Sequence, residues 1–197
     1  QETLSRLLAL DRRNIQYQCF APKTSFKVYT YLDNSGESGE VRDLFAEAAR
    51  IARGKILPIE EFKADDYDAL LFSGGYGVAK NLCNYAYKGA EMEVQPDVAR
   101  VILEMHAAKK PIGGMCIAPV LFAKLIPGVC VTLGSDGTAD ADNVFKMGAN
   151  HVQTEHGDVV ADNENHVFTT PAFMLDATLK DIYDGAYNLI DAILEEK

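Results

Sequence analysis

The sequence is short of cysteine, and the four it has, Cys19, Cys83, Cys116 and Cys130, lie far apart with no Cys-x-x-Cys pair. That spacing suggests neither a disulfide framework nor a zinc site, and it fits a reducing compartment in which thiols stay free. Positive charge is scarce as well, since 19 basic against 29 acidic side chains leave a formal charge of −10. Phosphate binding needs clustered Lys and Arg, so no nucleic acid and no anionic membrane is expected as a partner. No apolar run approaches the roughly 18 residues of a membrane span, and no signal peptide is read at the start. Repeats, low-complexity tracts and interdomain linkers are missing too. What remains is an ordinary globular composition, 48% hydrophobic over 197 residues. A chain of that size buries roughly 70% of its unfolded surface, enough for one self-sufficient core spanning residues 1–197.

The patterning alternates between strands and helices. Leu4, Leu7 and Leu8 form an i, i+3, i+4 stripe that predicts a helix closed by Asn14, followed by a strand from Ile15 to Phe20. Phe26 to Leu32 alternates like an exposed strand, and residues 33–39 form a turn or loop. Val41, Leu44, Phe45, Ala48, Ile51 and Ala52 predict an amphipathic helix with Gly54 past its end. Ala69-Leu70-Leu71-Phe72 and Pro111 to Met115 are short apolar runs of the kind buried on both faces of a parallel sheet. A helical stretch from Ala79, a helix through Val98, Val101, Ile102 and Met105 with Pro96 in its first turn, and another from Ile117 to Ile126 lie around them. Val129 to Leu133 is a strand, Ala139 to Met147 a helix, His166 to Thr170 the last strand, and Leu175 to Ile193 a closing helix. The order points to a doubly wound α/β domain with a mainly parallel sheet, whose function gathers at the carboxyl ends of the strands.

Two of those strand ends carry chemistry. Ile112-Gly113-Gly114-Met115-Cys116-Ile117-Ala118-Pro119 puts a cysteine at the turn from strand to helix, like the nucleophile elbow of hydrolases with sulfur in place of oxygen. Small residues before it permit a tight turn, and the thiol faces backbone N–H groups and the positive end of a helix dipole. Such surroundings lower a cysteine's pKa from about 8.5 into roughly the 3.5–7.5 range. Cys19 and Cys130 inside apolar strands, and Cys83 on its helix, read as packing residues. The second strand end, Ser73-Gly74-Gly75-Tyr76-Gly77, lacks the Gly-Lys-Ser/Thr ending of a phosphate loop and the spacing of a dinucleotide fingerprint. Its N–H groups suit an oxyanion hole.

Gly74-Gly75-Tyr76-Gly77-Val78-Ala79-Lys80-Asn81-Leu82, Met115-Cys116-Ile117-Ala118-Pro119 and Thr169-Thr170-Pro171-Ala172-Phe173-Met174 resemble, in order, the signatures of the ElbB-like or ES-one family. Arg42 through Ile56 fits the same pattern. That family sits in the DJ-one/PfpI superfamily, related to class I glutamine amidotransferases, and the resemblance spans essentially the whole chain. It implies a flavodoxin-like fold with helices on both faces of the sheet, a homodimer, and a reactive cysteine at position 116. Family members open with a strand and a glycine-rich loop, then a helix bearing a glutamate that approaches the cysteine. Glu2 falls at that glutamate, and the opening strand is expected to be absent from this chain. Members of the family occur in bacterial cytoplasm, the expected location, and in mitochondria, which would require a transit peptide before Gln1.

One departure separates this chain from many superfamily members. They carry a histidine at the strand end matching Thr132-Leu133-Gly134-Ser135, whereas His106, His151, His156 and His166 lie elsewhere and read as surface or packing residues. A metal site from His151, Glu155 and His156 lacks the helical i, i+4 spacing that would support it, so no metal is expected. Without that histidine, and with Ala118 where a glutaminase has glycine, amidase chemistry is disfavoured. The resemblance instead implies a cofactor-free, glyoxalase-like reaction on a small 2-oxoaldehyde. Cys116 would be the nucleophile, Glu2 the proton carrier, Gly75 and Ile117 N–H groups the oxyanion donors, and Gly74, Lys80, Asn81 and Thr170 the pocket. An ionised Glu2 would raise the thiol pKa, whereas a protonated one would donate to the thiolate. The alternative is a non-catalytic redox-sensing or stress-response dimer with Cys116 as the sensor thiol.

Overall fold

The computed structural model describes residues 1–30 and 36–196. In chain order the elements are α1 (Glu2–Asp11), β1 (Cys19–Ala21), β2 (Ser25–Thr30), β3 (Gly36–Asp43), α2 (Leu44–Ile51), β4 (Ile56–Pro58), β5 (Leu70–Phe72), α3 (Tyr85–Lys88), α4 (Pro96–Ala107), β6 (Ile112–Met115), α5 (Pro119–Leu125), β7 (Cys130–Val131), α6 (Ala139–Lys146), β8 (Asn150–His151), β9 (Val160–Asp162), β10 (Val167–Thr170) and α7 (Leu179–Glu195). A π-helical turn, Val78–Leu82, lies between β5 and α3. These elements divide into two compact units, Gln1–Gln16 with Lys63–Lys197, and Tyr17–Phe62.

The smaller unit holds a parallel pair, β1 with β4, and an antiparallel hairpin, β2 with β3. Gly36 to Gly39, expected in the loop, instead open β3, where pairing with β2 supplies the backbone partners. The rest of that expected loop, and Tyr31 and Leu32 of the expected strand, lie outside the described residues. Val41 is also a strand residue rather than helical, because Asp43 caps α2 by accepting the Ala46 N–H at 2.8 Å and so fixes its start.

In the larger unit the strand order is β5-β6-β10-β9, the first three parallel and β9 antiparallel. β6 and β10 are buried along their whole length, matching their unbroken run of apolar or small residues. Adjacent residues of a strand face opposite sides, and two glycines show what covers each side. A Cβ on Gly113 would lie 2.4 Å from Leu71 and 3.0 Å from Ile193 of α7, whereas one on Gly114 would lie 2.5 Å from the Phe122 ring of α5. Helices thus cover both faces, and Gly113 and Gly114 are close-packing residues as well as neighbours of the elbow. On the α4 side the predicted stripe is the core itself, with Val98, Val101, Ile102 and Met105 at most 1% exposed. Burying each such side chain stabilises the fold by about 1.5–3 kcal/mol.

α1 ends at Asp11, short of Asn14, and presents another face than the leucine stripe predicts. Leu4 and Leu8 are half exposed, and the buried residues are Glu2, Arg6, Ala9 and Leu10. Ala9 and Leu10 pack with Ile190 of α7, leaving the two charged residues aimed at the end of β5. The short strands β4, β8 and β9 had no sequence signal, since two or three residues establish no period.

Candidate active site

Cys116 follows β6 directly and carries φ = 60°, the left-handed region that a non-glycine residue adopts at a cost of roughly 1–3 kcal/mol. The strain is held by neighbours: the Cys116 N–H donates to the Thr170 carbonyl at 3.1 Å, and Ala118 N–H to the Met115 carbonyl at 3.1 Å. α5 then starts at Pro119, whose missing N–H costs nothing there. The elbow therefore turns the sulfur off the sheet toward the loop that follows β5.

That loop is built around glycine for two reasons. Gly75 adopts φ = +83°, and Gly74 has no room for a side chain. A Cβ there would lie 2.6 Å from both Cys116 Cβ and the Met115 carbonyl, and 2.9 Å from Glu2 Oε2. The Gly74 N–H donates to Glu2 Oε2 at 2.7 Å, which fixes the carboxyl against the loop. The Cys116 thiol donates to the Glu2 carboxylate, and its sulfur accepts from the Gly75 and Ile117 N–H groups. Four of the expected site residues thus meet at one sulfur.

The electrostatics differ from the sequence expectation. Cys116 is 7% exposed, and its pKa is pushed up to about 12 rather than lowered. Burial is the largest cause and the Glu2 charge the next; the two N–H donors pull the other way but do not outweigh them. At neutral pH the sulfur is therefore held as the thiol.

The remaining predicted residues have other surroundings. Thr170 contributes its carbonyl to Cys116, whereas its Oγ1 is buried against α7, where a Cβ on Gly185 would come within 3.0 Å. Lys80 and Asn81 both lie in the π turn, and the Lys80 ammonium stands 5.6 Å from the Tyr76 ring centroid and 5.4 Å from that of Tyr87. Cys83 is buried with its pKa raised to about 11, and Cys19 and Cys130 lie in β1 and β7. Cys83 sits just past the π turn rather than on a helix.

His151 is structural. Its Nε2 accepts the Leu133 N–H at 3.0 Å, so the ring proton is on Nδ1, which meets Asp136 at 2.9 Å. Both nitrogens are committed away from Cys116. Among the described residues no group of three or more His, Cys, Asp or Glu is arranged to hold a metal ion.

Sequence reasoning missed two residues of the site, Thr3 and Arg6, and gave the Ser73 hydroxyl no role. Thr3 Oγ1 and Arg6 Nη2 both donate to Ser73 Oγ, at 2.9 and 2.5 Å, tying α1 to the end of β5 beside Gly74. The signal was the i, i+4 spacing of Glu2 and Arg6, two charges that the leucine stripe obscured.

No family model matches the chain. Its sequence is 40% identical to the ES1 protein homolog, mitochondrial, of Rattus norvegicus, over 98% of this chain and 76% of the rat protein. The human glutamine amidotransferase-like class 1 domain-containing protein 3, mitochondrial, matches with the same identity and coverage. The chain belongs to the ES1 family. A solved structure, an isoprenoid biosynthesis protein with an amidotransferase-like domain from Ehrlichia chaffeensis, superposes with a TM-score of 0.89 at 33% identity. It covers all of this chain and 91% of the other. Glyoxalase III of Candida albicans superposes with a TM-score of 0.59 over 99% of this chain and 86% of that one. At 14% identity that likeness establishes the flavodoxin-like fold alone. Among the described residues no helix is long and apolar enough to cross a membrane.

Proposed function

We propose that this ES1-family chain is a cofactor-free, glyoxalase-like enzyme that converts small 2-oxoaldehydes to hydroxy acids at Cys116 and Glu2. The observation that supports it is the Glu2 carboxyl hydrogen-bonded to a thiol whose pKa stands near 12. Such a thiol cannot work as a preformed thiolate, so its proton must leave as the sulfur attacks. In this reading Glu2, hydrogen-bonded to the thiol, takes it. The sulfur–carbon bond forms at the aldehyde carbon, and Gly75 and Ile117 N–H groups transfer from sulfur to the new alkoxide, which Glu2 then protonates.

Glu2 next removes the hydrogen of that carbon and returns a proton to the adjacent carbonyl carbon, while the hydroxyl proton on the first carbon passes to the oxygen of the second. The first carbon is oxidised by two electrons and the second reduced by two, leaving a thioester of the hydroxy acid. Water adds, the carbon–sulfur bond breaks, sulfur recovers a proton and the acid departs. In this reading Lys80, in the π turn that follows the Gly75 loop, lines the pocket and would anchor an anionic group of a larger 2-oxoaldehyde.

Purified protein is expected to form lactate from methylglyoxal, and Cys116→Ser to reduce that at least 10³-fold. Absence of lactate with the wild type, or equal production by Cys116→Ser, overturns the proposal. The redox-sensing alternative is disfavoured by the same raised pKa, because oxidation follows thiolate character and exposure. Selective gain of oxygen at Cys116 under mild peroxide, with no aldehyde turnover, would reverse that preference.

A further inference from the structure

Arg6 is 7% exposed, and a guanidinium is charged at any accessible pH, so placing it there needs compensation. The Ser73 hydroxyl supplies part of it. With Arg6 Nη2 at 2.5 Å and Thr3 Oγ1 at 2.9 Å both donating, the two lone pairs of Ser73 Oγ are used. Three consecutive loop residues are therefore held by different partners. Ser73 is held by Thr3 and Arg6, the Gly74 N–H by Glu2, and the Gly75 N–H reaches the Cys116 sulfur. Since Thr3, Arg6 and Glu2 all lie on α1, one rigid helix sets where this loop stands against the sulfur.

We propose that Arg6 and Thr3, acting through Ser73 Oγ, are positioning residues that hold the loop where Glu2 and Gly75 both reach Cys116. This rests on Glu2 and Cys116 being the working pair. A misplacement on the order of 1 Å at such a pair costs about 10²-fold in rate. Docking of α1 onto the sheet does not require the clamp, since Ala9 and Leu10 already pack with Ile190.

The test uses Ser73→Ala, which removes the shared acceptor without adding volume, with Ser73→Thr as the conservative partner and Arg6→Lys as a second route should Ser73→Ala fold poorly. Two readouts are taken: methylglyoxal kinetics and the rate of iodoacetamide alkylation at Cys116, located by intact mass and peptide mapping. Ser73→Ala is expected to lower kcat ten- to a hundredfold with KM changed less than threefold, and to speed alkylation at least fivefold as the sulfur loses its neighbours. Ser73→Thr is expected to stay within threefold of wild type in both. Unchanged kcat and alkylation in Ser73→Ala, with only a lower melting temperature, overturns the proposal and leaves a docking contact. Should the wild type form no lactate, the functional reading falls while the fivefold alkylation change still decides the clamp.

Discussion

At Cys116 the balance of two opposing effects sets the chemistry. Two peptide donors favour the thiolate, but burial and Glu2 oppose it more strongly, and the thiol rests near a pKa of about 12. Its alkylation by iodoacetamide is therefore expected to climb roughly tenfold per pH unit from 8 to 10 without levelling. A plateau near neutrality would show a thiolate already formed. A stability consequence has the same origin. The folded pKa is raised, so the contribution of this thiol is present below the unfolded value of about 8.5 and is lost as pH rises toward about 12. Glu2→Gln removes the charge that raises the thiol while keeping the side chain's shape. It is expected to speed alkylation at pH 8 yet lower lactate formation at least a hundredfold, and parallel losses in both would contradict separate roles for the two residues.

At the scale of elements, glycines define what each loop and helix can do. Gly74→Ala would press a methyl group into Cys116, the Met115 carbonyl and Glu2, two of these being backbone or short side chain with little freedom to move. Activity should vanish. Gly113→Ala meets Leu71 and Ile193 instead, away from the sulfur, so its expected cost is stability, about 1–3 kcal/mol by urea unfolding. The contrast separates a glycine kept for the site from one kept for helix–sheet packing. If Gly74→Ala kept wild-type turnover, the crowding described around Gly74 would not limit the site.

Across the whole molecule, charge governs solution behaviour more than structure. The chain carries −10 at neutral pH with a sequence pI near 4.8. Mutual repulsion between molecules should weaken as pH falls toward that value, giving maximal turbidity there and clear solutions above pH 7. A turbidity maximum well away from pH 4.8 would point to buried or paired charges beyond those described.

The sequence by itself determined the α/β class, the buried strands β6 and β10, the place of β5 (of which only Phe72 is buried), the α4 core stripe and the two loops that carry the site. Those features are local: unbroken apolar runs, helical periodicity, and glycines or a cysteine at strand ends. Gly75 and Ile117 could be placed beside Cys116 because strand-end geometry is shared by every doubly wound sheet. Glu2 needed the family resemblance, since a glutamate at a helix start is ordinary on its own. Only the tertiary structure decided which face of α1 is buried, because the leucine stripe predicts burial and the contacts at β5 reward Glu2 and Arg6 instead. It alone decided the direction of the Cys116 pKa, because desolvation depends on what surrounds the sulfur in three dimensions. The clamp of Thr3 and Arg6 on Ser73 was invisible for the same reason: its partners lie about seventy positions apart in the chain and meet only when α1 docks beside β5.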